Sequence, residues 1–180
     1  MSLSTFEQYI AFVDGVLASR ENLPSTIDYM ELESVFVSHG VVILYARMEQ
    51  CFQQAIETKC NRCADADVRA FALSVKSEKT GKLLMESVKG TFKRFGIDHS
   101  QTLTPELEAL NVAESWDSIV NVRQRIAHHG QRVSITLSDL RGYYSDIRKV
   151  LGCICRAFSL SDVESRAICP LIELPTSHTS

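Results

Sequence analysis

The chain has 180 residues, 45% of them hydrophobic and 23% charged, which fits one soluble domain with a full core. Its 19 Lys and Arg stand against 22 Asp and Glu. The net charge of −3 excludes diffuse attraction to nucleic acid, so any RNA contact must use a local patch.

Ser4-Thr5-Phe6-Glu7 reads as a capping box that opens a first helix. Phe6, Ile10, Phe12, Val13 and Leu17 form its apolar face, and it ends before Pro24. Residues 1–7 have neither a basic stretch nor an apolar run, so no signal peptide is expected. A second box, Asp28-Tyr29-Met30-Glu31, opens a long helix that runs to about Lys59. Its middle, Val35 to Ala46, is apolar nearly all round, which predicts burial on several sides and a hydrogen-bonded core role for His39. The β-branched run could suit a strand. Met48, Phe52, Ala55 and Ile56 continue it with helical spacing. The block is too short to cross a bilayer.

Cys60-Asn61-Arg62-Cys63 admits three readings: a redox pair, half of a zinc site completed by Cys153 and Cys155, or plain packing thiols. A redox pair normally accompanies a βαβ pattern, which is missing, and Cys-x-Cys within a helix suits tetrahedral zinc poorly. Free thiols in a reducing cytoplasm are therefore expected, with no metal and no cofactor.

Residues 65–76 place Val68, Phe71, Ala72 and Val75 in helical spacing. Lys76, Lys79, Lys82, Lys89, Lys93 and Arg94 then read as a cationic run through another helix. A solvated face is the default for such a run, and an RNA-backbone contact is the functional option. Gly96 to Thr104 reads as a polar loop, with Thr104 capping a helix that carries Pro105 at its first position. A break near Asn111 divides this helix from the next.

On a wheel of roughly 100° per residue, Val112, Trp116, Ile119, Val120 and Ala127 share one face of the helix over 112–129. Arg123 falls in the middle of that face. A guanidinium cannot shed its proton, so an Arg there needs an anion, a partner or a cleft. Ser118 to Ser138 contains Arg123, Arg125, Arg132, His128 and His129 but no acidic residue. Gly130 ends the helix. Ser134 to Asp139 carries the next cap signal. The last helix uses Leu140, Tyr143, Tyr144, Ile147, Val150, Leu151, Ile154 and Phe158. The pattern fades after Ser159, giving a helical domain over 1–160 and a C-terminal tail over 161–180.

Arg123-Gln124-Arg125-Ile126-Ala127-His128 resembles the signature of the HEPN superfamily of small helical domains, an Arg followed after a short spacer by His. Leu44-Tyr45-Ala46-Arg47-Met48-Glu49 resembles the second core helix of the same domains, in which a Glu after the apolar run often faces the cleft. The chain departs at Gln124, where the family usually has a small polar residue. His129-Gly130 offers an alternative motif histidine. The resemblance implies an all-α, up-and-down bundle of five to six helices, with the motif helix packed on the long helix.

It also implies a metal-independent endoribonuclease of toxin–antitoxin or antiviral-defence type, working as a cytoplasmic homodimer. A cognate antitoxin or a larger defence complex would be its partner, and no membrane is involved. Arg123, His128, the alternative His129 and, more distantly, Glu49 would be catalytic. Arg125, Gln124 and Arg132 would contact RNA. Histidine serves as acid or base near neutral pH, and arginine binds phosphate oxygens as a fork. The alternative is a non-catalytic HEPN domain that binds RNA, a nucleotide or a protein, or a plain helical interaction subunit. Cations at a helix C-terminus are favoured whether or not they catalyse, and Arg123 could pair with Glu49 or Asp117. Five residues also set Arg123 and His128 roughly 140° apart on a regular helix, which suits a site shared between two chains.

Overall fold

The computed structural model describes residues 4–19, 21, 28–78, 83–129 and 134–169. The described residues form eight helices and no strand. These are α1 (Ser4–Ala18), α2 (Tyr29–Asn61), α3 (Ala66–Glu78), α4 (Met85–Phe95), α5 (Ile97–Leu110), α6 (Ala113–His129), α7 (Leu137–Ala157) and α8 (Asp162–Ile168). The all-α class holds, with more than the five to six helices expected.

The 33-residue α2 is the spine, touching α1, α3, α6, α7 and α8. It starts where the sequence indicates, with Asp28 accepting from the backbone N–H groups of Met30 and Glu31 at 2.9 and 3.4 Å. Its buried row runs from Val37 to Cys60. Gly40 lets α7 come close, since a Cβ there would lie 2.6 Å from Leu140 Cδ2. The start of α7 was equally legible. Thr136 and Asp139 form a reciprocal capping box, and Leu140, Tyr144, Ile147, Val150, Leu151 and Ile154 line the core.

Several expectations are corrected. Gly96–Thr104 is no loop, because α5 runs through it with Pro105 in its interior. Leu103 and Leu107, buried either side of Pro105, hold the helix despite the hydrogen bond a proline forfeits. Asn111 ends α5 in the left-handed conformation (φ 51°), which makes the break before α6. The cationic run does not share one helix. Lys76 belongs to α3 and Lys89, Lys93 and Arg94 to α4, while Lys79 and Lys82 lie outside the described residues.

Phe12, Val35 and Val42 are exposed, so α1 and α2 are covered on fewer sides than their composition suggests. His39 is exposed rather than a core residue, its ring edge-on to Tyr9 at 5.2 Å. Burial holds the Tyr9 phenol up at about 12, and its hydroxyl donates to the Phe36 carbonyl. Beyond Ser159, where the periodic pattern fades, α8 forms one short helix on a Ser161–Glu164 capping box. Arg62 at the end of α2 binds the Glu164 carboxylate and donates to the Ser159 carbonyl at 2.8 Å. Pro24, Gly130, Arg132 and residues 170–180 lie outside the described residues.

All six thiols are free. Cys60 and Cys63 stay together on one turn, while Cys51 meets Cys169. Burial drives the Cys153 and Cys155 thiols up to about 11. Among the described residues no group of His, Cys, Asp or Glu could hold a metal ion, and no helix is long and apolar enough to cross a membrane.

Candidate functional site

The site is built on α6, and the first half of α6 is fixed by side chains from three directions. Trp116 is fully buried, and its indole N–H donates to the Leu83 carbonyl. Ser115 donates to Asp146 on α7 at 2.7 Å. Asp117 accepts the Met85 backbone N–H at 2.7 Å. Leu84, at the cap position of α4, has no side-chain oxygen to offer, so Asp117 caps that helix from α6. Val112, Ile119, Val120 and Val122 complete a buried face between α2 and α7.

Beyond Val122 no described side chain of α6 is buried. Arg123 is half-buried, with Cζ 4.9 Å from the centroid of the Tyr45 ring on α2. The need for a partner, read from its place on an apolar stripe, is met by an aromatic face. Asp117, considered as an ion-pair partner for Arg123, instead accepts the Met85 N–H. Tyr45 is 4% exposed, and its enclosed hydroxyl has no hydrogen-bond partner among the described residues. Burial raises the Tyr45 phenol above its ordinary value, Glu49 one turn along adds to the rise, and the Arg123 charge opposes both. Arg123, Tyr45 and Glu49 thus share one electrostatic neighbourhood at the α2–α6 seam.

Gln124, Arg125 and His128 are exposed. So is Ala127, which the helical wheel had placed on the buried face: α6 has outrun its packing by that point. His128 follows Arg123 by five residues on a continuous helix, so the two side chains leave the axis roughly 140° apart. The His129 side chain and Arg132 are outside the described residues.

Residues 78–159 match the family described as RiboL-PSP-HEPN. The matched stretch, rather less than half of the chain, supports membership of the HEPN superfamily. The matched residues run from the end of α3 to just past α7 and contain the whole of α6. HEPN domains are often ribonucleases. No curated protein and no solved structure matches the chain. The match does not reach α2, so Tyr45 and Glu49 stand on geometry alone.

Tyr45 is the residue whose role the sequence left unassigned. The available signal was an aromatic one turn before Glu49, where i and i+4 side chains share a face. Its pairing with Arg123 could be seen only once α2 lay against α6.

Proposed function

We propose that the protein is a metal-independent endoribonuclease of toxin–antitoxin or antiviral-defence type, acting in the cytoplasm as a homodimer. The observation that carries this reading is Arg123, held over the Tyr45 ring at the edge of an apolar seam and followed by the exposed His128. A guanidinium in that position is positioned before RNA arrives, and a preorganised cation stabilises charge better than one that must reorganise.

The chemistry needs few groups. His128 takes the proton from a ribose 2′-hydroxyl as that oxygen attacks the adjacent phosphorus. Arg123 binds the phosphate oxygens as their charge grows. The bond to the 5′-oxygen breaks, and the imidazolium returns its proton to that leaving oxygen. The products are a 2′,3′-cyclic phosphate and a 5′-hydroxyl. Arg125, Gln124 and Arg132 position the RNA backbone, Glu49 is a minor contributor, and His129 is the alternative acid–base group. The angular separation of Arg123 and His128 favours a cleft in which one chain supplies the arginine and its partner the histidine.

The test is cleavage of single-stranded RNA by wild type beside His128→Ala, with and without chelator. Wild type should yield cyclic-phosphate ends unaffected by chelator, and His128→Ala should lose at least ~100-fold. Undiminished cleavage by His128→Ala would move the role to His129. Gln124 favours a second reading, because it stands where the family usually has a small polar residue: a HEPN domain that binds RNA, a nucleotide or a protein without cutting. RNA binding without cleavage by either protein would establish that reading.

A further inference from the structure

The spine helix α2 encloses a second cation, on the side away from the candidate site. Arg47 follows Tyr45 by two residues, roughly 200° around the axis, and is 7% exposed. A guanidinium stays charged at any working pH and offers five N–H donors. Nη1 donates to Oε1 of Gln50, one turn along. Nη2 is enclosed and meets no acceptor among the described residues. The Cys51 thiol, also one turn along, is drawn toward its thiolate by a hydrogen bond with Cys169 and by the Arg47 charge, but a thiol is a poor counter-ion for a full positive charge. A buried guanidinium left in this state favours any anion that can reach it.

A groove of about 340 Å³ runs beside it, lined by Val42, Ile43, Ala46, Arg47 and Gln50. All five residues lie on α2, so the groove is an open strip along one helix face, aliphatic apart from Arg47 and Gln50. Arg47 lines the groove, and anion binding requires its guanidinium to turn so that the enclosed Nη2 faces it. Gln50 fixes the other arm of the fork and keeps its own amide N–H donors for a ligand.

We propose that this groove binds a small organic anion. Its oxyanion head sits on the Arg47 fork and its aliphatic body lies along Val42, Ile43 and Ala46. Carboxylate and phosphate heads share the required chemistry, a pair of oxygens that accept two parallel N–H bonds.

Thermal unfolding with hexanoate, hexyl phosphate and neutral hexanol separates the possibilities. At about ten times Kd, a binding anion should raise Tm by about 3–6 °C, and hexanol should not. A response to hexanoate alone assigns a carboxylate head, and a response to hexyl phosphate alone assigns a phosphate head. Methyl NMR should then show Val42 and Ile43 shifting, with the core methyls of α6 unmoved. Arg47→Met should abolish the response while melting no lower than wild type. An equal response to hexanol, no response to any probe, or an undiminished response in Arg47→Met would overturn the proposal. Should Arg47→Met fail to fold, Gln50→Ala serves in its place. It must weaken anion binding several-fold, and unchanged affinity would equally overturn the proposal.

Discussion

From Ala113 to Val122, α6 is tied to Leu83, Met85 and Asp146 and buried against two helices; from Arg123 onward, an aromatic ring on α2 takes over. The two halves also differ in charge. Glu114 and Asp117 lie near the start, while Arg123, Arg125 and the histidines lie near the end, the distribution a helix dipole favours. The first half spends its polar groups on the fold: Asp117 caps α4, Ser115 binds Asp146 on α7, and the Trp116 indole binds the Leu83 carbonyl. The second half leaves its polar groups at the surface, where a ligand can use them. Damage to the first half should therefore cost much more stability than damage to the second.

The largest separation should come from Trp116→Ala. It empties a fully buried site and removes the donor to Leu83, and should cost about 3–5 kcal/mol in chemical denaturation. A cost below about 1 kcal/mol would mean the first half is not the anchor. Asp117→Ala removes the cap of α4 and should cost about 1 kcal/mol, within the range for lost N-caps. No change in stability would show that α4 does not rely on α6 for its start.

Smaller effects are expected across the boundary. Arg123→Ala loses a partly exposed cation–aromatic contact worth about 0.5–1 kcal/mol. Tyr45→Phe should be neutral or slightly stabilising, because it deletes an enclosed hydroxyl with no partner among the described residues and keeps the ring under Arg123. A clear loss of stability in Tyr45→Phe would mean the hydroxyl is bonded in solution, and the seam more closed than described.

What could be read in advance was local. Asp28 and Thr136 cap the helices their sequences mark, since a cap needs only residues within one turn. Arg123 was recognisable as a cation on an apolar stripe because the helical period places it there. Its partner was not, because Tyr45 lies on another helix and only packing brings the two together. The same distance in sequence hid the duty of Asp117, which caps a helix that cannot cap itself. Pro105 misled because its local signal is strong, yet Leu103 and Leu107 are buried around it. Phe12 and His39 misled because burial was inferred from composition, and α1 covers less of α2 than an all-round apolar run suggests. The helix α8 is too short to show a period, although its Ser161–Glu164 box was present to be read.

The central claim is that Arg123 and His128 cut RNA together and meet across two chains. Arg123→Ala and His128→Ala, purified separately, should each be inactive and remain helical. Mixed and allowed to exchange, they form dimers in which one cleft combines the intact Arg123 of one chain with the intact His128 of the other, and up to about half of the wild-type activity per mixed dimer should return. No recovery, with exchange confirmed by native mass spectrometry and wild type active in the same assay, would contradict the shared site and place both residues in one chain.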